Sequence, residues 1–254
     1  MLNRPRLFCL ALLTAALVSC GLEDYIYLEP VESAGVISDF EGYANLPSQS
    51  AGEFRSYIIF YRIYISDWPS TGSITESQYT AINSVLAADY NVLKPYTTND
   101  SVSPNAILSV LSGRRYYPLA LSIDGTKDVS GSVLTSTAFV SVTLDFTFAP
   151  EPRAFLTYPS TGNPSDPKYY LFRASGFTQL PNRRFLNTTG AGDLADSSKI
   201  DNTTNIDVAP KDGDGIGSYT YVSMYILAFG TDRNFGAIFS RPKHIGVFRL
   251  PPPP

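Results

Sequence analysis

Proton transfer near neutral pH falls most often to histidine, and this sequence contains one, His244. It stands beside Lys243 at the start of a predicted strand, where a lone imidazole reads as a surface or edge residue, because catalysis needs an oriented partner. Serine and aspartate are abundant, so counting alone does not exclude a Ser-His-Asp triad, but no G-x-S-x-G elbow supports one. Carboxylates that could bind calcium gather in one stretch: Asp193, Asp196, Asp201, Asp207, Asp212 and Asp214. Asp212-Gly213-Asp214-Gly215 opens like a calcium loop, yet Ile216 fills the third ligand position and Ser223 the last, where an EF-hand needs Asp or Asn and then Glu. The EF-hand pattern fails, and turn chemistry explains these residues as well as a less regular calcium site does. Gly190-Ala191-Gly192 lacks the third glycine of a dinucleotide fingerprint, and there is no Walker A lysine. No cofactor or metal is therefore assigned.

The two cysteines carry a different chemistry. Arg4 and Arg6 form a positive start, and Leu7 to Val18 is an apolar stretch broken only by Thr14, too short for a stable membrane span. The stretch closes on Leu17-Val18-Ser19-Cys20. This order of charge, apolar length, small residue and cysteine resembles the lipobox of bacterial lipoprotein precursors. The resemblance implies that residues 1–19 are a signal peptide cleaved before Cys20, that the Cys20 thiol receives a diacylglyceryl group, and that the new amine takes a further acyl chain such as palmitate. Cys9 leaves with the signal, so the mature chain keeps one sulfhydryl position and forms no internal disulfide. Arg4 and Arg6 leave too, so 17 of the 19 basic residues remain against 23 acidic ones, a formal charge of about −6. That balance argues against nucleic acid and against electrostatic attachment to anionic lipid. Gly21 follows Cys20 where aspartate would retain a lipoprotein at the inner membrane, so the resemblance favours the outer membrane of a bacterial envelope.

The mature chain, with 17 tyrosines and 15 phenylalanines in the whole sequence, can build a substantial core. Residues 20–52 mix Glu, Ser, Gly and Pro and are read as a lipid-anchored tether, with Tyr25 to Leu28 as a possible edge strand. A domain follows over residues 53–250, before a proline tail at 251–254. Tyr57 to Ile65 is nearly continuous in aromatic and β-branched residues, which predicts a central strand covered on both faces. Residues 75–112 are predicted as a helical insertion. Thr75 and Gln78 form a capping box, Tyr79, Ile82, Val85, Leu86, Tyr90 and Leu93 make one apolar stripe, and Ser103-Pro104 followed by Ile107, Leu108, Leu111 and Gly113 predicts a second, shorter helix with proline at its first position and glycine after its end. Tyr116 to Ile123 reads as one strand, and Ala138 to Phe148 alternates as a strand with one wet side. Arg153 to Tyr158, Tyr169 to Arg173, Tyr219 to Phe229, Ala237 to Ser240 and His244 to Leu250 are further strands. Residues 187–217 form a long polar loop, a length that is usually functional.

Many short strands separated by Gly/Pro turns predict a mainly β protein, an antiparallel β-sandwich with a short helical insertion. The aromatic strand Tyr57 to Tyr64 and the ending Tyr221 to Gly230, followed by Phe239-Ser240-Arg241-Pro242, resemble strands of fibronectin type III-like modules and are similar to segments of spirochaete lipoproteins. The resemblance implies an immunoglobulin/fibronectin III-like sandwich. The leading functional expectation is a non-enzymatic structural or interaction module of the cell envelope, held to membrane lipid through acylated Cys20. The alternative is an adhesin-type lipoprotein that binds a sugar, peptide or host component, with Trp68, Asp212 and Asp214 as binding residues, since Trp68 beside Pro69 is the aromatic most expected at the surface. An envelope hydrolase is a third reading, which requires a pocket around His244 or a carboxylate pair.

Overall fold

The computed structural model describes residues 27–50, 52–69, 72–98, 106–122, 134–147, 153–173, 194, 200, 207–210 and 219–250. Leu17, Val18, Ser19, Cys20, Asp212 and Asp214 lie outside them. Eleven strands, all paired antiparallel, form two sheets, and a layer of short helices covers one of these. The spine is a pair of 13-residue strands, β3 (Phe54–Ser66) and β9 (Tyr219–Thr231), with Phe54 opposite Gly230 and, past a one-residue register shift, an even ladder from Ser56 opposite Phe229 to Ser66 opposite Tyr219. β4 (Tyr117–Pro118) extends the β3 side, while β10 (Ala237–Phe239) and β11 (Lys243–Arg249) share the far edge of β9. The second sheet runs β1 (Ser33–Ser38), β2 (Glu41–Leu46), β6 (Val140–Thr147), β7 (Arg153–Thr157), β8 (Lys168–Phe172) and β5 (Ala120–Ser122).

Alternation along β3 divides the interior. Tyr57, Ile59, Tyr61 and Ile63 face the second sheet and pack with Val142, Leu144 and Phe146, from the apolar face predicted for β6, and with Leu156 of β7 and Leu171 of β8. Ile58, Phe60 and Tyr64 face the other way, onto α1 (Tyr79–Ile82), α2 (Ser84–Thr98) and α3 (Ile107–Gly113). Both faces of β3 are thus buried, as its nearly continuous apolar sequence demands. The helix stripe packs on the sheet through Ile82, Leu86 and Leu93.

Four expectations need correction. The tether predicted over residues 20–52 is part of the fold from Leu28 onward: Leu28 and Val31 are buried in the core, and β1 and β2 are a hairpin on the second sheet. Its short apolar runs concealed this, because a hairpin at a sheet edge needs only alternate residues inward. The first helix is divided at Asn83, which is extended (φ −166, ψ 133) and caps α2 anew, its Oδ1 accepting from the N–H groups of Val85 (2.9 Å) and Leu86 (3.3 Å). The strand expected over Tyr116 to Ile123 is two strands in different sheets, because Pro118 has no N–H to continue a ladder and the chain crosses at Leu119, whose N–H bonds to Ile59 O at 2.7 Å. Gly113, expected just past the end of the next helix, is the last residue of α3, and the left-handed position falls later, at Arg115 (φ 57).

The sheets also meet along the opposite side. Gly246 (φ 152) lies so close to Val36 of β1 that a Cβ would overlap it, and Arg249 N–H bonds to Asp39 O at 2.8 Å. Within the sandwich the 187–217 loop contributes to the core: Leu194 and Val208 are buried, and Asp207 forms a fork with Arg173, Nε to Oδ2 at 2.9 Å and Nη2 to Oδ1 at 2.6 Å. Tyr61 donates to the same carboxylate at 2.8 Å. Asp207 is therefore spent on an ion pair and is not free for calcium. Asp207→Ala leaves the Arg173 charge buried alone and is expected to destabilise the fold by roughly 3–5 kcal/mol in denaturant melts, whereas replacing both residues with apolar ones of similar size costs much less.

Candidate functional site

Between the first sheet and the helices lies a chain of polar side chains that begins at Arg62. A charged residue in the middle of a strand covered on both faces needs a partner, and α2 supplies Asp89, which falls on the Leu86-to-Leu93 face and is 1% exposed. Arg62 Nη1 donates to Asp89 Oδ2 at 2.5 Å, and Tyr64 O–H donates to the same oxygen at 2.8 Å. Asp89 Oδ1 lies 3.7 Å from Arg114 Nη1. The hydroxyls then continue: Tyr64 to Tyr116 at 3.0 Å, Tyr116 to Ser223 at 3.1 Å, and Ser223 Oγ to His244 Nε2 at 3.1 Å. His244 is not the free surface residue that the sequence implied. It is half-buried, and its ring packs on Tyr225 (4.5 Å between centroids), Tyr90 (5.3 Å) and Tyr79 (5.8 Å).

The three hydroxyls hold one hydrogen each. Tyr64 gives its hydrogen to Asp89 and Tyr116 gives its own to Ser223, so the contact between the two tyrosine oxygens is left without one. Which of Ser223 and His244 donates to the other follows the imidazole tautomer. His244 Nδ1 faces Tyr79 Oη at 3.5 Å, and no carboxylate orients it. Ser223 itself is 1% exposed.

Burial raises the phenols of Tyr64, Tyr116, Tyr79 and Tyr225 above the ordinary tyrosine range, which keeps them as donors. It also raises the Asp89 carboxyl, and the Arg62 guanidinium opposes that rise. For His244, burial outweighs the attraction of Glu76 and pushes the imidazole down to about 3. At the surface, Lys94 bonds to Glu76 at 3.0 Å and lies over the Tyr90 ring. Three buried atoms of this layer, Arg62 Nε, Asp89 Oδ1 and Tyr225 Oη, have no hydrogen-bond partner among the described residues.

Trp68 is half-buried at the end of β3, where its carbonyl accepts from Tyr221 O–H and its ring lies 6.3 Å from the Tyr221 ring. It belongs to the helix-side cluster with Tyr79 and Ile82, not to the Asp89 network. Among the described residues no group of three or more His, Cys, Asp or Glu could hold a metal. Asp89 and Ser223 were not singled out in the sequence, although Arg62 inside an apolar strand and Asp89 inside an apolar helix stripe were the signals of a buried pair. Fold and site together define a mainly β protein of two antiparallel sheets with a helical third layer and an enclosed polar network. No protein-family model, curated protein or solved structure matches the chain.

The enclosed imidazole has a pH signature. As pH falls from 6.5 toward 3, the unfolded chain binds a proton at His244 that the folded chain refuses, so stability drops by at most about 1.4 kcal/mol per pH unit. Asp89 acts oppositely, because its raised pKa lets the folded chain take a proton first as pH falls. Denaturant melts between pH 7 and pH 4 are expected to show a larger loss for the native chain than for His244→Gln, which keeps an N–H donor and leaves Asp89 in place. Equal losses would show that the ring protonates freely. Nitrogen-15 NMR of His244 is expected to report a neutral imidazole at pH 5.

Proposed function

We propose that this chain is a lipid-anchored protein of a bacterial cell envelope, whose β-sandwich serves as a non-enzymatic structural or interaction module. The observation that carries this reading is Leu17-Val18-Ser19-Cys20 closing a short apolar run behind Arg4 and Arg6. Acylation at Cys20 accounts for attachment, since two or three chains hold a protein durably at a bilayer. Among the described residues no helix is long and apolar enough to cross a membrane. The inward-facing polar network supports a non-enzymatic reading, because Ser223 and Asp89 are buried and each accepts a hydrogen bond from a neighbouring tyrosine, Tyr116 and Tyr64. The fibronectin type III-like resemblance rests on the sequences of β3 and β9. Sheets of six and five strands with a helical layer are larger than the seven-stranded module, so the reading is of a sandwich that shares strands with it rather than its whole plan.

A second reading, a binder of sugar or peptide, is favoured by one observation. Asn83 Nδ2 reaches both Ile65 O (3.3 Å) and Pro210 O (3.4 Å), so the described part of the long polar loop comes to the end of β3 that carries Trp68. Trp68 is the single tryptophan, so its emission reports directly on a ligand bound there.

Growth with an alkyne-bearing palmitate is expected to label the native chain and not Cys20→Ala, which should stay unprocessed or leave the membrane fraction. Mass spectrometry that finds Met1 intact, or a free Cys20 thiol on the membrane-bound chain, would overturn the anchor. A glycan or peptide that shifts Trp68 emission in the native chain would move the assignment to the binding reading.

A further inference from the structure

Among the described residues four large hydrophobic side chains are exposed: Phe235 (90%), Phe139 (62%), Ile37 (53%) and Tyr27 (52%). Hydrogen bonds and strand register collect three of them at one end of the sandwich. Tyr27 leads into Glu29, whose N–H and C=O both bond to the Gln49 side chain, at 3.0 and 2.8 Å. The Gln49 N–H bonds to Thr137 O at 2.8 Å, two residues before Phe139, and its Nε2 donates to Tyr57 Oη at 2.7 Å. Tyr57 stacks on Phe54 at 5.0 Å, and Phe54 stands opposite Gly230 at the start of the β9–β10 turn that carries Phe235. Thr231 N–H to Glu53 O, 3.0 Å, ties that turn to the same end. Ile37 lies at the other end, where its carbonyl accepts from Ser73 beyond the end of β3.

The turn is built to hold its aromatic outward. Asp232 N–H bonds to Gly236 O at 2.8 Å, and its Oδ1 accepts from Asn234 N–H (2.8 Å) and Gly236 N–H (2.6 Å). Phe235 sits there at φ 61, a left-handed conformation that glycine or asparagine adopts at little cost and a bulky residue rarely takes.

We propose that this end, with Tyr27, Phe139 and Phe235, seats on the surface of a lipid bilayer. The proposal rests on the anchor reading above. Six residues separate Cys20 from Tyr27, and an extended chain covers at most about 3.6 Å per residue, so an acylated Cys20 keeps Tyr27 within about 25 Å of the membrane. The end from which the anchor departs is the end that presents the aromatics. Exposed charges there are mixed, Arg55 and Arg233 with Glu53 and Asp232 close by, so the attraction comes from aromatic side chains at headgroup depth rather than from anionic lipid.

The test uses the full chain, processed in a bacterium and reconstituted in phosphatidylethanolamine–phosphatidylglycerol vesicles. Phe139→Cys, Phe235→Cys and Ile37→Cys each add one free thiol for a fluorescent label, all at exposed positions. Lipid brominated near the headgroup is expected to quench labels at 139 and 235 several-fold more than the label at 37. The native chain, treated with the same maleimide, separates the two ideas. If it takes no label and floats with the vesicles, the anchor stands, and equal quenching at all three positions would then overturn the seating of this end. If it takes label at Cys20 and does not float, the anchor fails and the proposal falls with it.

Discussion

Everything in this fold is hung on the pairing of β3 with β9, two long strands joined from Phe54 to Ser66 with one irregularity after Phe54. A strand so placed must bury both faces, and its alternation decides what covers each one. Tyr57, Ile59, Tyr61 and Ile63 require the second sheet, while Ile58, Phe60, Arg62 and Tyr64 require the helices. Each side also carries one desolvated ion pair, Arg62 with Asp89 toward the helices and Arg173 with Asp207 in the sandwich. Such pairs add little net stability compared with apolar packing, but separating either one strands a charge. They therefore fix where α2 and the polar segment at Asp207 must dock.

Much of the architecture was legible in the residues. The nearly continuous aromatic and β-branched run of β3, the alternation of β6 and the apolar stripe from Tyr79 to Leu93 each name their surroundings, because a covered strand, a half-wet strand and a surface helix demand different patterns. What failed to show depended on tertiary contacts. Asn83 restarts the helix because its side chain caps α2 and holds the Asp207–Pro210 segment, and periodicity passes over a single polar residue. The crossing at Leu119 is invisible as long as both halves look like strand. The hairpin of β1 and β2 is too short and too mixed in composition to stand out from a linker.

The polar network was hidden for a similar reason. His244 gives no local sign of enclosure, since the tyrosines around it come from α1, α2 and β9. Once assembled, the network links a carboxylate held by arginine to an imidazole through three hydroxyls, and its members come from the sheet, from α2 and from the segment after α3. Buried polar groups that must find one another in this way fix how the helices sit on the sheet.

The crossing at Leu119 has its counterpart at Gly246. On one side the backbone itself passes from sheet to sheet, and on the other the bare glycine lets β11 press against β1. The two layers are thereby sewn along both borders, more like a flattened tube than two stacked plates. Closure of the second border thus turns on one residue that carries no side chain, since any larger group at 246 would force β11 away from β1.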